Sequence, residues 1–426
     1  METKDFRNEK LSVDEIKVIE KIESIIHETI PVVDSILKNP FGMKIEDGHV
    51  TGLRLNGFGE KVLAVPFDEL TSLEELYLAT NNLKTLPESL SSLNSLKNLV
   101  IVVNEFNFLP EVVCSIQSLE ELYLDGNLDI KSLPESIGNL TSLKILSLGA
   151  TRVKTLPDSI KKLTNLKTLI FNDSKLTELP EPICYLTSIE ELILRWNNLT
   201  ELSESFGNLR DLKLLDLAYN NLTSLPDGFF NLNKLEHLNL LSSDLESLPE
   251  LFSSLTSLTT LDLIGNKLSN IDPLKGLKAL KTLYLCGNKI TEIPKWLCDM
   301  KWLETLDLSG NNITTIPDCI GRLISLYELW LSDNPIKSVP ESLKSLERLK
   351  VLSLYKTELT SLPEAITSLL SLRHLHLHEN PFKSLPEPLE EWIDELKMKG
   401  CFVSREKTGF TPMIPPWKKD WQEDQY

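Results

Sequence analysis

Apolar and polar positions recur along most of this chain with one fixed spacing. The stretch from Leu303 to Ser325 shows the unit, in which leucine or isoleucine stands at positions 1, 4, 6, 11, 14, 18 and 21. Position 9 is asparagine and position 15 is proline, and the next 23 residues repeat the pattern. A fixed period of this length predicts a stack of small structural units rather than two or three compact domains.

Fourteen clear copies of the unit follow a degenerate first copy over 50–72. Twelve of the fourteen have 23 residues, the copy that opens at Leu119 has 24, and the copy that opens at Leu258 has 22. We expect the two irregular copies to alter the stacking locally. The copies open at Leu73, Leu96, Leu119, Leu143, Leu166, Ile189, Leu212, Leu235, Leu258, Leu280, Leu303, Leu326, Leu349 and Leu372.

Each half of the unit predicts its own structure. The LxxLxL half alternates with period two, which is typical of a short strand with the leucines of positions 4 and 6 turned inward. Position 9 is asparagine in ten copies and serine or threonine in four, so a short polar side chain can bond main-chain groups where the chain turns. The second half has apolar spacings of three and four, which indicate a short helix or 3₁₀ turn.

The first 49 residues carry no repeat and predict an N-terminal helical cap. Ser12 and Glu15 form a capping box ahead of a run of isoleucines with helical spacing. A shorter second helix is expected between Pro31 and Pro40. A repeat array needs an end piece to cover its first core edge, and a separate docking helix is the alternative reading.

The repeat domain is expected over 50–386, followed by a C-terminal cap helix and tail over 387–426. Acids in its first turn, lysines in its last and Gly400 as a stop mark the helix. The tail holds Trp417 and Trp421 among prolines. It either folds back on the cap or serves as a short linear motif.

The consensus LxxLxLxxNxLxxLPxxIxxLxx resembles the leucine-rich repeat family. More narrowly, it is similar to the 23-residue intracellular class of Ras-associated scaffold proteins and plant Ras-group repeat proteins. The resemblance implies an α/β solenoid shaped as a curved horseshoe, with a parallel β-sheet on its concave face and helical or 3₁₀ segments on its convex face. It also implies a protein partner on the concave face, with a small GTPase or another signalling protein as the class of partner.

Charge and cysteine content indicate which partners the protein does not bind and in which compartment it is located. The net charge of −18 argues against nucleic acid or an anionic membrane as a partner. Twelve of the acids stand where the helical turn of a repeat begins, eleven of them directly after its proline, so much of the acidity can be structural. The polar start of the chain and six scattered cysteines, interpreted as reduced thiols, predict a cytoplasmic protein.

Stacking the strands places positions 3, 5, 7 and 8 of every copy in four parallel columns on one face. These columns hold seven of the fifteen Tyr and Trp residues of the chain, interleaved with charges, as in the core of a protein interface. Tyrosine at position 5 can also simply favour strand pairing. The predicted partner surface is centred on Arg195 and Trp196 through Tyr284, with a second patch at Trp330 and Tyr355. The candidate residues are Tyr77, Tyr123, Arg195, Trp196, Asp216, Tyr219, Asp262, Tyr284, Asp307, Trp330, Tyr355 and His376.

The last copy carries three histidines, His374, His376 and His378, on one strand face. A His-x-His strand can present imidazoles to Zn²⁺, so a small-ligand or metal-responsive binder is the alternative function; solvated polar positions are the simpler interpretation. No phosphate-binding loop, nucleophile with a partner His and Asp, or CxxC pair is found. We therefore expect a monomeric interaction scaffold or adaptor with no enzymatic activity and no cofactor.

Overall fold

The structure is a computed structural model that describes residues 3–382 and 384–405. The chain divides into two compact units, Met1–Ala279 and Leu280–Tyr426, which are described separately below. The predicted tail with Trp417 and Trp421 lies outside the described residues. None of the described helices is long and apolar enough to cross a membrane.

The first unit opens with strands β1 (Thr3–Phe6) and β2 (Glu9–Ser12), helix α1 (Val13–Ile26), and strands β3 (Gly42–Glu46) and β4 (His49–Arg54). The capping box predicted at the start of α1 is confirmed. The Glu15 N–H donates to Ser12 Oγ at 3.2 Å, and Ser12 Oγ donates to the Glu15 carboxylate at 3.1 Å.

The predicted second helix before Pro40 is wrong. The segment between Pro31 and Pro40 contains no helix, and β3 pairs antiparallel with β4 directly after it. The Val33 N–H donates to the Met43 carbonyl and the Met43 N–H donates to the Pro31 carbonyl, both at 2.9 Å. These bonds hold residues 31–33 extended, and residues 36–38 form a turn. Two prolines in so short a stretch disfavour a helix.

Nine repeats of the first unit each contribute one three-residue strand. From β4 onward each strand pairs parallel with the next, and equivalent repeat positions stand opposite one another, as in Glu191 between Thr168 and Leu214. The strands are β5 Glu75–Tyr77, β6 Asn98–Val100, β7 Glu121–Tyr123, β8 Ile145–Ser147, β9 Thr168–Ile170, β10 Glu191–Ile193, β11 Leu214–Asp216, β12 His237–Asn239 and β13 Thr260–Asp262.

The second half of each repeat forms a short 3₁₀ turn, and in one repeat a five-residue helix, α2 (Glu111–Ser115). Proline stands immediately before most of these turns, where its missing N–H leaves no unsatisfied donor. The 3₁₀ turns of the first unit are Gly59–Ala64, Phe67–Glu69, Glu88–Ser92, Glu135–Asn139, Asp158–Lys162, Glu181–Tyr185, Glu204–Asn208, Asp227–Asn231, Glu250–Ser254 and Asp272–Leu274.

The second unit repeats the same plan. Its strands β14 (Thr282–Tyr284), β15 (Thr305–Asp307), β16 (Glu328–Trp330), β17 (Val351–Ser353) and β18 (His374–His376) pair parallel in chain order. Its 3₁₀ turns are Lys295–Asp299, Asp318–Arg322, Glu341–Ser345 and Glu364–Ser368.

The second unit is closed by helix α3 (Glu387–Met398) and strand β19 (Phe402–Ser404). One face of this helix is buried and consists of Leu389, Trp392, Ile393 and Leu396. Strand β19 was not predicted. It pairs parallel with β18, so the histidine strand is flanked on both sides by other strands.

The asparagines of position 9 form a buried ladder between successive repeats. The side-chain oxygen of Asn104 accepts hydrogen bonds from the Asn81 and Leu83 N–H groups, both at 3.0 Å. Its side-chain nitrogen donates to the Leu78 and Ile101 carbonyls, also at 3.0 Å. The prediction that this position bonds the main chain where the strand ends is confirmed.

Candidate functional site

The candidate site is the strand-side surface, defined here as positions 3, 5, 7 and 8 of the repeats. The residues of positions 4 and 6 are buried in every clear repeat and are all leucine except Ile101 and Phe171. The residues on either side of position 4 therefore lie on the opposite face of the strand. Because the strands pair in register, each position forms one column. The sequence prediction of columns is therefore confirmed, but the exposure of their side chains varies widely.

Position 8 has a left-handed backbone in all fourteen clear repeats, with φ between 49° and 72°. Glycine adopts this conformation without strain, whereas other residues lose about 1–2 kcal/mol. Glycine fills the position in four repeats and larger residues in ten. Bulky aromatic side chains at such a position indicate a role that outweighs the backbone strain.

Two neighbouring repeats of the first unit place aromatic residues at position 8. Trp196 (φ 58°) and Tyr219 (φ 55°) stack with ring centroids 3.8 Å apart and planes 12° apart. Such a stack contributes about 0.5–1.5 kcal/mol, less than the expected strain of two left-handed non-glycine residues. Trp196 is 54% exposed and Tyr219 is half-buried. The pair is therefore an exposed, rigid apolar platform that folding alone does not account for.

Arg195 extends this platform with a positive charge. Its side chain is half-buried, and its charge opposes the rise in the pKa of Asp216 in the next strand. Arginine beside Trp and Tyr is the combination most enriched at the energetic centres of protein interfaces. The structure stacks Trp196 on Tyr219, and Arg195 directly precedes Trp196 in the chain. That a partner binds these three residues stays a prediction.

Two of the predicted partner-binding tyrosines are buried, which is a correction. Tyr77 is 4% exposed and Tyr284 is 6% exposed. The Arg54 guanidinium lies over the Tyr77 ring at 5.3 Å, and the same side chain donates to the Ile36 carbonyl at 3.0 Å. Tyr77 is covered by Arg54 of the degenerate first copy, and it does not present its ring to a partner.

Tyr123 is half-buried and belongs to a polar network within the sheet. Its hydroxyl donates to the Glu121 carboxylate at 3.2 Å, and Asn98 donates to the same carboxylate at 3.0 Å. Asn98 also donates to the Tyr77 hydroxyl at 3.4 Å. These bonds hold the Tyr123 side chain within the sheet, so Tyr123 is a weaker candidate for partner binding than Trp196.

The aspartates predicted at position 5 bond their own main chain instead of facing a partner. Asp216 and Asp262 are 3% and 2% exposed, and they flank Asn239 in the neighbouring strands. Asp216 Oδ1 accepts a hydrogen bond from the Ala218 N–H at 2.9 Å. Asp262 Oδ1 accepts one from the Ile264 N–H, also at 2.9 Å. The equivalent bond of Asn239 is 3.1 Å long. These side chains form turns that end the strands.

Burial makes the ionised form of two of these aspartates costly. It raises the pKa of Asp216 to about 6, against hydrogen bonds from the Ala218 N–H and Asn239 that favour the charge. It raises the pKa of Asp307, in the second unit, to about 6 as well, against bonds from Ser309. Asp307 was predicted as a partner contact, and its Oδ1 accepts from the Ser309 N–H at 2.9 Å.

We expect Asp216→Asn to stabilise the protein at neutral pH. The folded-state pKa lies above the unfolded value of 3.8, so the group's contribution to stability is complete below that value and is lost as pH rises through 6. The variant should therefore gain about 1–3 kcal/mol in free energy of unfolding at pH 7 and almost nothing at pH 4. Urea unfolding of variant and wild type at both pH values measures this difference.

Asn239→Asp is the matched control for that prediction. It places a carboxylate at the same position of the next repeat, so its stability should fall relative to wild type as pH rises from 4 to 7. Equal stability of Asp216→Asn and wild type at pH 7 would show that the buried carboxylate is not destabilising.

The second predicted patch, at Trp330 and Tyr355, is partly packed within the second unit. Trp330 Nε1 donates to the Glu328 carboxylate at 3.1 Å, and the Tyr355 ring stacks on His378 with centroids 4.6 Å apart. Both aromatic residues are half-buried. They line the histidine strand and do not form an open platform like that of Trp196.

The interpretation of the three histidines as solvated polar positions is wrong for two of them. His376 is 1% exposed and His378 is 4% exposed. The ring of Phe402, on the unpredicted strand β19, lies 5.7 Å from that of His376, and Ser404 Oγ lies 2.5 Å from His378 Nδ1. Burial lowers the pKa of His376 to about 4, with further lowering by His374 and His378, so its imidazole is neutral at pH 7.

The geometry of the histidine strand favours packing over metal coordination. The centroids of the His374 and His376 rings are 6.2 Å apart and those of His376 and His378 are 6.5 Å apart, with no convergence on one point. Within 3–382 and 384–405, no three His, Cys, Asp or Glu side chains are placed to hold a metal ion together. His376 is therefore reassigned from partner binding to a buried position of the strand-side surface, beside Phe402.

The structure pairs Cys298 with Cys319 in a disulfide, with Cα atoms 5.6 Å apart. The prediction that all six cysteines are reduced thiols is wrong for this pair. The two residues are 21 positions apart, close to one period, so they lie on adjacent turns of the solenoid. The period itself was the signal that sequence reasoning missed.

Two tryptophans of the second unit, Trp296 and Trp302, lie outside the strand-side positions of their repeats. Trp302 is 37% exposed and Trp296 is half-buried. Sequence reasoning also passed over Val103 as a surface residue. It occupies position 8 with a φ of 53° and is 47% exposed. The signal for Val103 was its place at position 8, which is glycine in four other repeats.

Comparison with protein families matches the repeats to four descriptions of the same family. The model described as a leucine-rich repeat region matches 122–197, and the leucine rich repeat model matches 187–245, 210–268 and 324–382. The model of two leucine rich repeat copies matches 256–298 and 301–345, and a single-repeat model matches 72–93. No curated protein matches the chain.

Several solved structures share this architecture. The Leptospira interrogans LRR protein LIC12759 is 31% identical with a TM-score of 0.80, and the match covers 88% of this chain and 99% of that one. The plant peptide hormone receptor RGFR1, solved in complex with RGF2, is 26% identical with a TM-score of 0.62 over 86% of this chain and 68% of the receptor. The Listeria monocytogenes internalin InlF, 21% identical with a TM-score of 0.56 over 87% and 95%, shares the fold.

The matched descriptions, the near-complete coverage of the Leptospira protein and the alternation of short parallel strands with 3₁₀ turns agree with one another. The predicted solenoid is thereby confirmed, and the chain belongs to the leucine-rich repeat family.

Proposed function

We propose that this protein is a binding scaffold that takes a protein partner on the strand-side surface of its first unit. Leucine-rich repeat proteins are generally non-catalytic scaffolds, and their repeats typically mediate protein–protein interactions. The observation that carries the proposal is the stacked pair of Trp196 and Tyr219, held exposed on a left-handed backbone. A rigid aromatic platform beside an arginine is the composition of an interface hot spot.

The proposal extends to a signalling adaptor of the Ras-group type, with a small GTPase as the class of partner. Its support is the 23-residue consensus of twelve repeats. RGFR1, a plant peptide hormone receptor that is 26% identical to this chain, was solved in complex with RGF2, which supports a polypeptide as the ligand. We propose a monomer, which sedimentation equilibrium measures directly.

A cytoplasmic location is likewise proposed. Cys114, Cys184 and Cys401 carry free thiols, which is typical of a reducing compartment. The Cys298–Cys319 disulfide favours an oxidising compartment instead, because such bonds persist there. Thiol labelling of the protein in intact source cells, read by mass spectrometry at Cys319, distinguishes the two locations.

The double variant Trp196→Gly, Tyr219→Gly tests the partner surface. Glycine relieves the strain at position 8 while adding freedom to the unfolded chain, so stability should stay within about 1 kcal/mol of wild type. Removing two central aromatic residues should weaken partner binding at least thirtyfold, about 2 kcal/mol. Partners are captured from a lysate of the source cells, identified by mass spectrometry and then titrated as purified proteins.

Ser242→Gly is the matched control, because Ser242 occupies position 8 of the next repeat with a φ of 52°. It should leave both partner affinity and melting temperature unchanged. Full affinity in the double variant would place the partner elsewhere. A metal-responsive or small-ligand binder, the alternative function, would recover no stoichiometric protein from the lysate.

A further inference from the structure

A cluster of four cations lies apart from the strand-side surface, in the loops of three consecutive repeats of the first unit. These repeats open at Leu119, Leu143 and Leu166. A cleft of about 350 Å³ is lined there by Lys131, Arg152, Lys154, Ser174 and Lys175. The concentration of positive charge is opposite in sign to the net charge of −18 for the whole chain.

Most of this charge lacks an acidic partner. Arg152 Nη1 lies 3.5 Å from Asp129 Oδ1, in an exposed pair. Among the described residues, no carboxylate lies within 4 Å of the ammonium groups of Lys131, Lys154 or Lys175. Elsewhere in the same unit, lysines of the equivalent loops are paired, as Lys84 is with Glu105 at 3.6 Å. The cleft therefore carries a net positive charge of about three that the protein itself does not neutralise.

The cations are held close together by the main chain. Lys154 Nζ donates to the Ser174 carbonyl at 2.8 Å and to the Lys175 carbonyl, which anchors it against the next repeat. Burial lowers the pKa of Lys154, and the neighbouring charge of Lys175 lowers it further. Like charges this close repel one another unless a counter-ion occupies the cleft.

The repeat pattern is irregular at this place in two further respects. The repeat that opens at Leu119 has 24 residues, and its extra residue lies in the loop that carries Lys131. The next two repeats replace the asparagine of position 9 by Thr151 and Ser174. Arg152 and Lys175 occupy position 10, which two following repeats fill with the uncharged Asn198 and Asn221. The basic cluster is thus not a by-product of the consensus.

We propose that this cleft binds a small polyphosphate, that is, a compact anion with two or more linked phosphoryl groups. Arginine and lysine are the usual ligands of phosphate oxygens, and the cleft falls in the size range of small-molecule sites. Its five lining residues include no aromatic ring, so the site recognises the phosphates and not an attached base. A nucleotide and free tripolyphosphate therefore bind alike.

Calorimetric titration of the full chain with sodium tripolyphosphate, ATP and orthophosphate tests the site at low ionic strength. We expect one-to-one binding of tripolyphosphate and ATP with similar affinity, and orthophosphate weaker by about tenfold or more. Affinity falls as salt is added, because the contacts are between charges. If tripolyphosphate at about 1 mM gives no binding heat, its affinity is below that of ordinary small-ligand sites, and the proposal is overturned. Binding only of long polyanions such as heparin also overturns it.

The double variant Lys131→Gln, Lys175→Gln should weaken tripolyphosphate binding about tenfold or more. Both side chains are exposed, so the melting temperature should not change. The charge-conserving variant Lys131→Arg, Lys175→Arg keeps the affinity within about threefold. Lys84→Gln, Lys267→Gln is the control: it removes the same charge from equivalent loop positions that are ion-paired with Glu105 and Asp244. An equal loss of affinity in the control shows a general charge effect and rejects the site.

Discussion

Replacing Phe229 by alanine is expected to lower the free energy of unfolding by about 3–5 kcal/mol. Phe229 is fully buried in the 3₁₀ turn of its repeat. Its ring lies 5.8 Å from Phe206 in the preceding repeat and 5.5 Å from Phe230, which in turn lies 5.9 Å from Phe252 in the following repeat. Three consecutive repeats are therefore joined by one cluster of rings, and alanine would open a cavity at its centre.

Two controls separate the cavity from other effects of the substitution. Phe229→Leu should cost less than about 1.5 kcal/mol, because aliphatic residues such as Ile183 fill the same position of other repeats. Phe108→Ala removes an exposed ring and should change stability by less than about 0.5 kcal/mol. Urea unfolding followed by circular dichroism measures all three variants. A loss below about 1 kcal/mol for Phe229→Ala would mean that the solenoid collapses around the cavity.

The strands and turns of this fold were predictable because every local signal recurs fourteen times. Each inward leucine repeats the same alternation, and position 9 always carries a side chain able to bond the main chain. The ends of the chain lack that redundancy. Residues 31–33 form extended backbone because Met43 supplies hydrogen-bond partners, a contact that a local pattern does not contain.

Exposure of the site residues was the part that the sequence could not supply. Alternation identifies the face on which Tyr77 and His376 lie, yet both are buried. Arg54 of the degenerate first copy covers Tyr77, and Phe402 of the unpredicted strand β19 covers His376. The position-5 aspartates were predictable in principle, since an aspartate at a strand end commonly accepts its own main-chain N–H. For Trp196, the signal was the four glycines of the same column, which mark a left-handed backbone.

The ladder of position 9 gives the second large prediction. Asn197→Ala is expected to lower the free energy of unfolding by about 2–6 kcal/mol, because it strands two buried donors at about 1–3 kcal/mol each. Asn197 Oδ1 accepts from the Ser174 and Leu176 N–H groups at 3.1 and 3.0 Å. Its Nδ2 donates to the Phe171 and Leu194 carbonyls at 2.8 and 2.9 Å. Water does not readily replace these hydrogen bonds, because the Asn197 side chain is only 4% exposed.

Asn197→Ser and Asn198→Ala test whether the loss comes from these hydrogen bonds. Serine stands at the same position in Ser174, whose hydroxyl donates to the Leu148 carbonyl at 3.2 Å, so Asn197→Ser should keep part of the ladder and cost less than alanine. Asn198 is exposed, and its replacement should cost less than about 0.5 kcal/mol. Asn197→Asp keeps the acceptor oxygen but places a second carboxylate oxygen next to two carbonyl oxygens, which repel it when it is ionised. The free energy of unfolding of this variant should therefore fall as pH rises. A pH-independent Asn197→Asp variant with wild-type stability would show that the donated bonds contribute nothing, and the ladder would then be a consequence of stacking and not one of its causes.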